Sequence, residues 1–341
     1  MSRFITGLTC VACGRSFGID RPWVTCPDCG PDEGIVDIQF DLDAVRHAWH
    51  ERPLHGRPLN HWRYRELLPL AESSIREDWQ VGWTPVIDTH RLAGELGLKQ
   101  LLFKDDGRNP TASFKDRASS VGVAHALQCN AGTIACASTG NAATSLAGHA
   151  ALAGMPCVIF VPSTAPQPKL AQLLVYGAHV VAVQGSYDEA YNLCSQACTR
   201  FGWYNRNCAI NPVLVEGKKT GGLEIAEQSH SFGGVPDWVA VSVGDGCTIA
   251  GIWKGLKQMH QLAMKLGGQH GIYAEPAAAA ALAGVIAARE VDVISANDRV
   301  LSMVTGSGLK DTKAAIQAGG KPISIKPDID NLAAALQGRG V

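Results

Sequence analysis

From residue 101 to residue 304, short uninterrupted apolar runs alternate with segments of helical spacing. Runs at 101–104, 133–137, 157–161, 180–183, 238–243, 271–275 and 300–304 read as strands. Helices are predicted at 118–128, 142–153, 169–176 and 187–201. A strand that is apolar along its whole length must be covered on both faces, and parallel strands separated by helices meet that need. The fold class is therefore α/β, with two parallel-type domains. Residues 133–204 form a self-contained β-α-β-α-β-α unit, which reads as a small mobile domain at 130–204 inserted into a larger one. The larger domain then comprises 36–129 and 205–341, behind a cysteine-rich segment at 1–35. A polar stretch at 43–83 holds Trp49, Trp62 and Trp79 and reads as helix and loop packed on the larger body.

Composition narrows the function. Thirty Lys and Arg nearly cancel 31 Asp and Glu, giving a net charge of −1. Such a balance argues against a general binder of nucleic acid or anionic membrane, which needs a basic excess. Apolar residues make up 46% of the 341, as in a globular chain. The longest uncharged apolar run, 277–288, is too short to span a bilayer. No leader-like apolar core lies between Met1 and Cys10, and a cytoplasmic location is expected.

Eleven cysteines make a poor disulfide framework, and four of them stand apart as Cys10-Val-Ala-Cys13 and Cys26-Pro-Asp-Cys29. Two Cys-x-x-Cys turns, each followed by glycine, supply the four thiolates of a closed structural zinc site. An empty ribbon or a redox pair shares this spacing. Residues 1–65 carry eight basic and eight acidic side chains, so the ribbon has no electrostatic footprint for phosphate backbones. The other seven cysteines sit in apolar or helical contexts and read mostly as small core residues.

Ligands of open parallel sheets bind beyond the carboxyl ends of the strands, which makes three strand-to-helix corners informative. The first runs from Phe103 to Arg117 and places Lys115 beside Phe114 at a helix start. Burial and the positive end of the helix both favour a neutral, nucleophilic amine there. The second corner, Ser138, Thr139, Gly140, Asn141 and Ala142, presents backbone amides, hydroxyls and a carboxamide suited to a carboxylate or phosphate. The third, Gly244, Asp245, Gly246, Cys247 and Thr248, is a glycine-bearing turn ahead of a helix. It is neither a Walker loop nor a dinucleotide fingerprint. Taken singly, each corner is better explained by the plainer account, a first-turn lysine, ordinary helix capping or a simple turn.

In this order, Asn109-Pro-Thr-Ala-Ser-Phe-Lys-Asp-Arg117, Ser138-Thr-Gly-Asn-Ala142 and Thr305-Gly-Ser-Gly-Leu-Lys-Asp311 resemble the threonine synthase family. The resemblance begins at the cysteine-rich start, where Cys26-Pro-Asp-Cys-Gly30 leads into Phe40-Asp-Leu-Asp43. It implies a fold type II (tryptophan synthase β-like) enzyme dependent on pyridoxal phosphate, acting on a small amino acid as a homodimer. It also implies that Lys115 is the Schiff-base lysine, with Phe114 among the cofactor contacts. Asn141 would meet the cofactor's phenolic oxygen, while Ser138, Thr139, Gly140, Asn141 and Ala142 receive the substrate carboxylate. Gly244, Asp245, Gly246, Cys247 and Thr248 would hold the cofactor phosphate, and Thr305 would face the pyridine nitrogen.

The implied reaction is conversion of O-phosphohomoserine and water to threonine and phosphate, a carbon–oxygen lyase activity. Its leaving phosphate needs cations. Lys169, at a helix start in the mobile domain, comes first, and Lys218 and Lys219 follow. Two departures keep a second reading open. Ala112 stands where threonine synthases usually have glycine, and Asp245 adds a negative charge to the phosphate turn. A relative acting on serine, phosphoserine or threonine, by β-replacement (cysteate synthase-like) or β-elimination (threonine dehydratase-like), would share the cofactor and the base.

Overall fold

The computed structural model describes residues 2–19, 25–208, 210–262 and 276–307. The chain opens with β1 (Ile5–Cys10), β2 (Ser16–Phe17), a single turn of helix α1 (Gly30–Glu33) and β3 (Val36–Phe40). These strands make an antiparallel sheet of order β2-β1-β3. Helix α2 (Leu42–Glu51) starts where Asp41 accepts a hydrogen bond from the Ala44 N–H at 2.9 Å, and it buries Val45, Ala48 and Trp49. Two short 3-10 turns follow. Trp62 and Trp79 are buried among them, joined by a 2.9 Å bond from the Trp62 indole to the Trp79 carbonyl.

The chain continues with β4 (Val86–Asp88), α3 (His90–Glu95), β5 (Gln100–Asp105) and α4 (Lys115–Gln128). Next comes the run β6 (Ile134–Ala137), α5 (Asn141–Leu152), β7 (Cys157–Pro162), α6 (Gln167–Val175), β8 (His179–Val183), α7 (Tyr187–Phe201) and β9 (Tyr204–Asn205). Its four strands form a wholly parallel sheet of order β8-β7-β6-β9. A capping box at Ser186 and Glu189 starts α7, and Gly202 at φ 70° stops it.

The chain then adds α8 (Val213–Gln228), β10 (Trp238–Ala240), α9 (Cys247–Leu262), α10 (Pro276–Glu290) and β11 (Arg299–Val304). The second sheet has the order β10-β11-β5-β4, parallel except that β4 runs against β5. The strand expected at 238–243 ends at Ala240, and 241–246 continue as the loop into α9. The strand expected at 271–275 lies outside the described residues.

Helix α8 was not foreseen from apolar spacing, because it is buried all round. It carries Glu216, Lys218, Lys219 and Glu224 at 0% exposure. Neighbouring helices approach it almost to backbone contact. A Cβ at Gly217 would fall 2.2 Å from the Arg117 carbonyl of α4, and one at Gly222 would fall 2.1 Å from the Ile252 carbonyl of α9. Under the sheet, Lys104 Nζ donates to Glu224 Oε2 (2.8 Å), Gln228 Oε1 (2.7 Å) and the Thr84 carbonyl (2.6 Å). Arg117 reaches Glu224 Oε2 at 2.7 Å and Asp106 Oδ1 at 3.0 Å. These buried charges are mutually paired, which is what makes their burial tolerable.

Candidate active site

The first corner is held from both sides. Asn109 Oδ1 accepts the Gly82 N–H at 2.9 Å, and Asp116 accepts from the Thr111 amide (2.7 Å) and hydroxyl (2.5 Å). The Phe114 N–H donates to the Thr305 carbonyl at 2.9 Å, and the Ser307 N–H donates to the Ala112 carbonyl at 3.2 Å. Adjacent parallel strands β5 and β11 thus deliver Lys115 and Thr305 to one place. The Phe114 ring is fully buried with Val86, Leu102, Ile225, Leu301 and Met303, which anchors the corner from below.

Lys115 opens α4, and its Nζ lies 3.3 Å from Thr248 Oγ1, one residue into α9. Burial lowers the proton affinity of this amine, and the cations of Lys218 and Arg206 add to the effect against Cys208 and Asp245. The turn before α9 has Gly246 at φ 74°, a conformation that suits glycine. Asp245 resolves its own charge conflict. Its Oδ1 accepts the Cys247 N–H at 3.1 Å, and its Oδ2 faces Lys218 Nζ at 3.9 Å.

At the second corner, α5 begins at Asn141 with Gly140 as its N-cap and no side-chain cap bond. Ser138 Oγ instead accepts the Gly140 N–H at 3.2 Å. Residues 138–142 are half-buried. The segment after β9 ties this corner to the others: Asn207 Oδ1 accepts the Ala137 N–H at 3.1 Å, while Arg206 donates to Cys208 Sγ (3.4 Å) and Ser119 Oγ (3.1 Å). A hydrogen bond from Cys247, with Arg206 and Lys218 nearby, holds the Cys208 thiol below its usual range. Cys208 and Cys247 therefore belong to the site and not to the distant core, and Cys129 is exposed. The available signal for Arg206 and Cys208 was their place directly beyond a strand end.

Of the cations considered for a second phosphate, Lys218 faces this site. Lys219 does not: it pairs with Glu216 and lies 3.9 Å over the Phe40 ring, with burial bringing its pKa down to about 8. Lys169 lies on α6, and its side chain falls outside the described residues.

In the ribbon, the Sγ atoms of Cys10, Cys13, Cys26 and Cys29 all lie within 4.8 Å of one another. Cys10 and Cys29 are 3.8 Å apart, and Cys13 and Cys26 are 4.0 Å apart. Four sulfurs at the zinc–sulfur bond length around one tetrahedral ion are about 3.8 Å apart, so the donor set fits that metal. Gly14 and Gly30, at φ 73° and 76°, close matching turns in which their N–H groups donate to the Cys10 and Cys26 carbonyls at 3.0 Å.

A lysine with a weakened hold on its proton thus sits at the strand ends of an α/β body, facing a glycine turn at a helix start. Together these define a fold type II enzyme dependent on pyridoxal phosphate. The family model "Pyridoxal-phosphate dependent enzyme" matches residues 79–267. A threonine synthase of Methanocaldococcus jannaschii is 31% identical over 95% of this chain and 97% of its own. A threonine synthase of Methanosarcina acetivorans is 37% identical over 74% of this chain and 60% of its own. The chain belongs to the pyridoxal-phosphate dependent enzymes and, within them, to the threonine synthase family. Solved structures share the fold at lower identity. A cysteine synthase from Entamoeba histolytica superposes at TM-score 0.60 and 17% identity, covering 75% of this chain and 93% of that one. The apo diaminopropionate ammonia lyase of Escherichia coli gives 0.59 and 18%, covering 86% and 92%. Among the described residues, no helix is long and apolar enough to cross a membrane.

Proposed function

We propose that the protein converts O-phosphohomoserine and water to threonine and phosphate. The observation that carries this reading is the half-buried Lys115 amine against Thr248, in a chain similar to threonine synthases over nearly its whole length. Pyridoxal phosphate, when bound, supplies an electron sink conjugated to the substrate's amino group. The chain supplies the rest. Lys115 would hold the cofactor, and its free amine would be the base that takes the α-proton and returns protons along the substrate's side chain. The amides and polar side chains of Ser138, Thr139, Gly140, Asn141 and Ala142 orient the substrate carboxylate at the start of α5. Gly244, Asp245, Gly246, Cys247 and Thr248 hold the cofactor phosphate. Thr305 would offer the cofactor ring a neutral hydroxyl in place of a carboxylate, which suits elimination and replacement at the side chain. Lys169 meets the leaving phosphate. Residues 130–204 close on the larger domain and exclude water from the reacting carbons.

Zinc on Cys10, Cys13, Cys26 and Cys29 is our reading of the ribbon, supported by its sulfur spacing. Metal analysis with Cys26→Ser as control decides it. One zinc per chain supports the reading, and no metal in the fully reduced protein overturns it. The resemblance supports a homodimer, which sedimentation checks. For the reaction, the enzyme is incubated separately with O-phosphohomoserine, O-phosphoserine, serine and threonine, and products are identified by mass. Threonine and phosphate from the first alone support the proposal. Turnover of any other, with none of the first, overturns it.

A further inference from the structure

Lys218 differs from every other buried lysine described. Lys104 Nζ lies 2.8 Å from Glu224, Lys254 Nζ lies 2.6 Å from Glu216, and Lys219 pairs with Glu216. Lys218 and Lys219 are both at 0% exposure with no hydrogen-bond partner for Nζ, but Lys219 has the Glu216 carboxylate in close ion-pair contact and Lys218 has none so near. The carboxylate oxygen nearest to Lys218 is Asp245 Oδ2 at 3.9 Å, on a half-exposed side chain already engaged with the Cys247 N–H. An ammonium buried without a close anion is costly, so a chain that keeps one there has a use for it. The stem is also fixed. Helix α9 approaches so closely that a Cβ at Gly251 would stand 2.8 Å from Lys218 Cβ. The head is thereby directed at the turn leading into α9, on the side of Lys115, whose proton affinity it depresses.

The turn itself is short of positive charge. Its donors are backbone amides and the Thr248 hydroxyl, one amide is occupied by Asp245, and Asp245 brings a negative charge. A phosphate monoester dianion placed there needs a compensating cation. We propose that Lys218 is the counter-ion of the cofactor's phosphate, offsetting Asp245 and making this turn selective for the phosphorylated cofactor. The proposal rests on the assignment of residues 244–248 to that phosphate.

The test uses cofactor uptake, not turnover. Wild type, K218Q and D245N are stripped of cofactor and titrated with pyridoxal phosphate and with unphosphorylated pyridoxal, read by the absorbance change as each bonds to Lys115. In K218Q, affinity for pyridoxal phosphate should fall roughly 10- to 100-fold while that for pyridoxal holds. D245N should bind pyridoxal phosphate at least as tightly as wild type. Inorganic phosphate should compete with pyridoxal phosphate in wild type and D245N. Equal affinity of wild type and K218Q for pyridoxal phosphate overturns the proposal, as does an equal loss for both aldehydes. Unchanged cofactor affinity with a raised KM for the phosphorylated amino acid also overturns it, moving Lys218 to the substrate's phosphate. Should K218Q fail to fold by circular dichroism, D245N decides: weaker uptake than wild type overturns the proposal. Wild type that takes up no pyridoxal phosphate at all refutes the enzyme reading itself, a separate result.

Discussion

Lys115 Nζ and Thr248 Oγ1 stand 3.3 Å apart, which brings the starts of α4 and α9 to a single point. Two helix N-termini and a half-buried amine then share one small volume. Lys115→Ala should leave the fold intact and abolish the covalent cofactor bond. Activity should fall by about 10²- to 10⁴-fold, the range expected when a general base is removed. Borohydride reduction followed by peptide mapping should label Lys115 in wild type and nothing in the variant. Label on another lysine in wild type would remove Lys115 from its role.

Ala112 occupies φ 58°, a region in which a side chain is strained by about 1–2 kcal/mol. It stands where threonine synthases usually have glycine, and the backbone explains the usual choice. The bond from Ser307 to the Ala112 carbonyl pins the corner in this conformation. Ala112→Gly should stabilise the protein by about 0.5–1 kcal/mol, after allowing for glycine's freer unfolded state. Urea unfolding measures it, and a loss of stability would contradict the strain.

Glu224 holds two cations at once in a region closed to water, and Arg117 and Lys104 keep its carboxyl well below the usual range. Glu224→Ala would leave Lys104 and Arg117 with unbalanced charge under the Lys115 corner. A loss of about 3–5 kcal/mol is expected. Thermal unfolding of the variant reads this directly, and a shift within experimental error would mean the network relaxes freely.

Strands β5, β6, β7 and β11 were legible because burial on two sides leaves an unbroken apolar run, whereas β4, buried but only three residues long and ending in Asp88, was not. Helix α8 was not, since its burial is satisfied by ion pairs and glycine contacts that leave no apolar period to read. Lys115 and residues 138–142 and 244–248 were legible as candidates because they stand at strand ends, where backbone geometry alone favours a site. The division of labour between Lys218 and Lys219 was not. Adjacent helical residues differ by about 100° around the axis, and only packing decides that one faces the turn before α9 while the other meets Glu216 and Phe40. Arg206 and Cys208 likewise act through contacts made across long stretches of chain.

His125 joins α4 to the other sheet, with its Nδ1 2.9 Å from the Tyr204 hydroxyl at the start of β9. Burial pushes the Tyr204 phenol up, so it keeps its proton, and burial brings the His125 pKa down to about 4 from the usual 6.5. The folded protein therefore holds the imidazole neutral where the unfolded chain protonates it. Above about pH 6.5 neither state takes the proton, and the full stability is present. As pH falls from 6.5 towards 4, the unfolded chain gains a proton that the fold refuses, and stability drops by roughly 3 kcal/mol through this group. Carboxylates titrating over the same range act on every variant alike. Urea unfolding of wild type and His125→Gln at a series of pH values isolates the histidine. Wild type should lose more stability than the variant across this window, with the two curves running parallel above it. Curves that stay parallel down to pH 4 would mean that His125 titrates in the fold as it does in water.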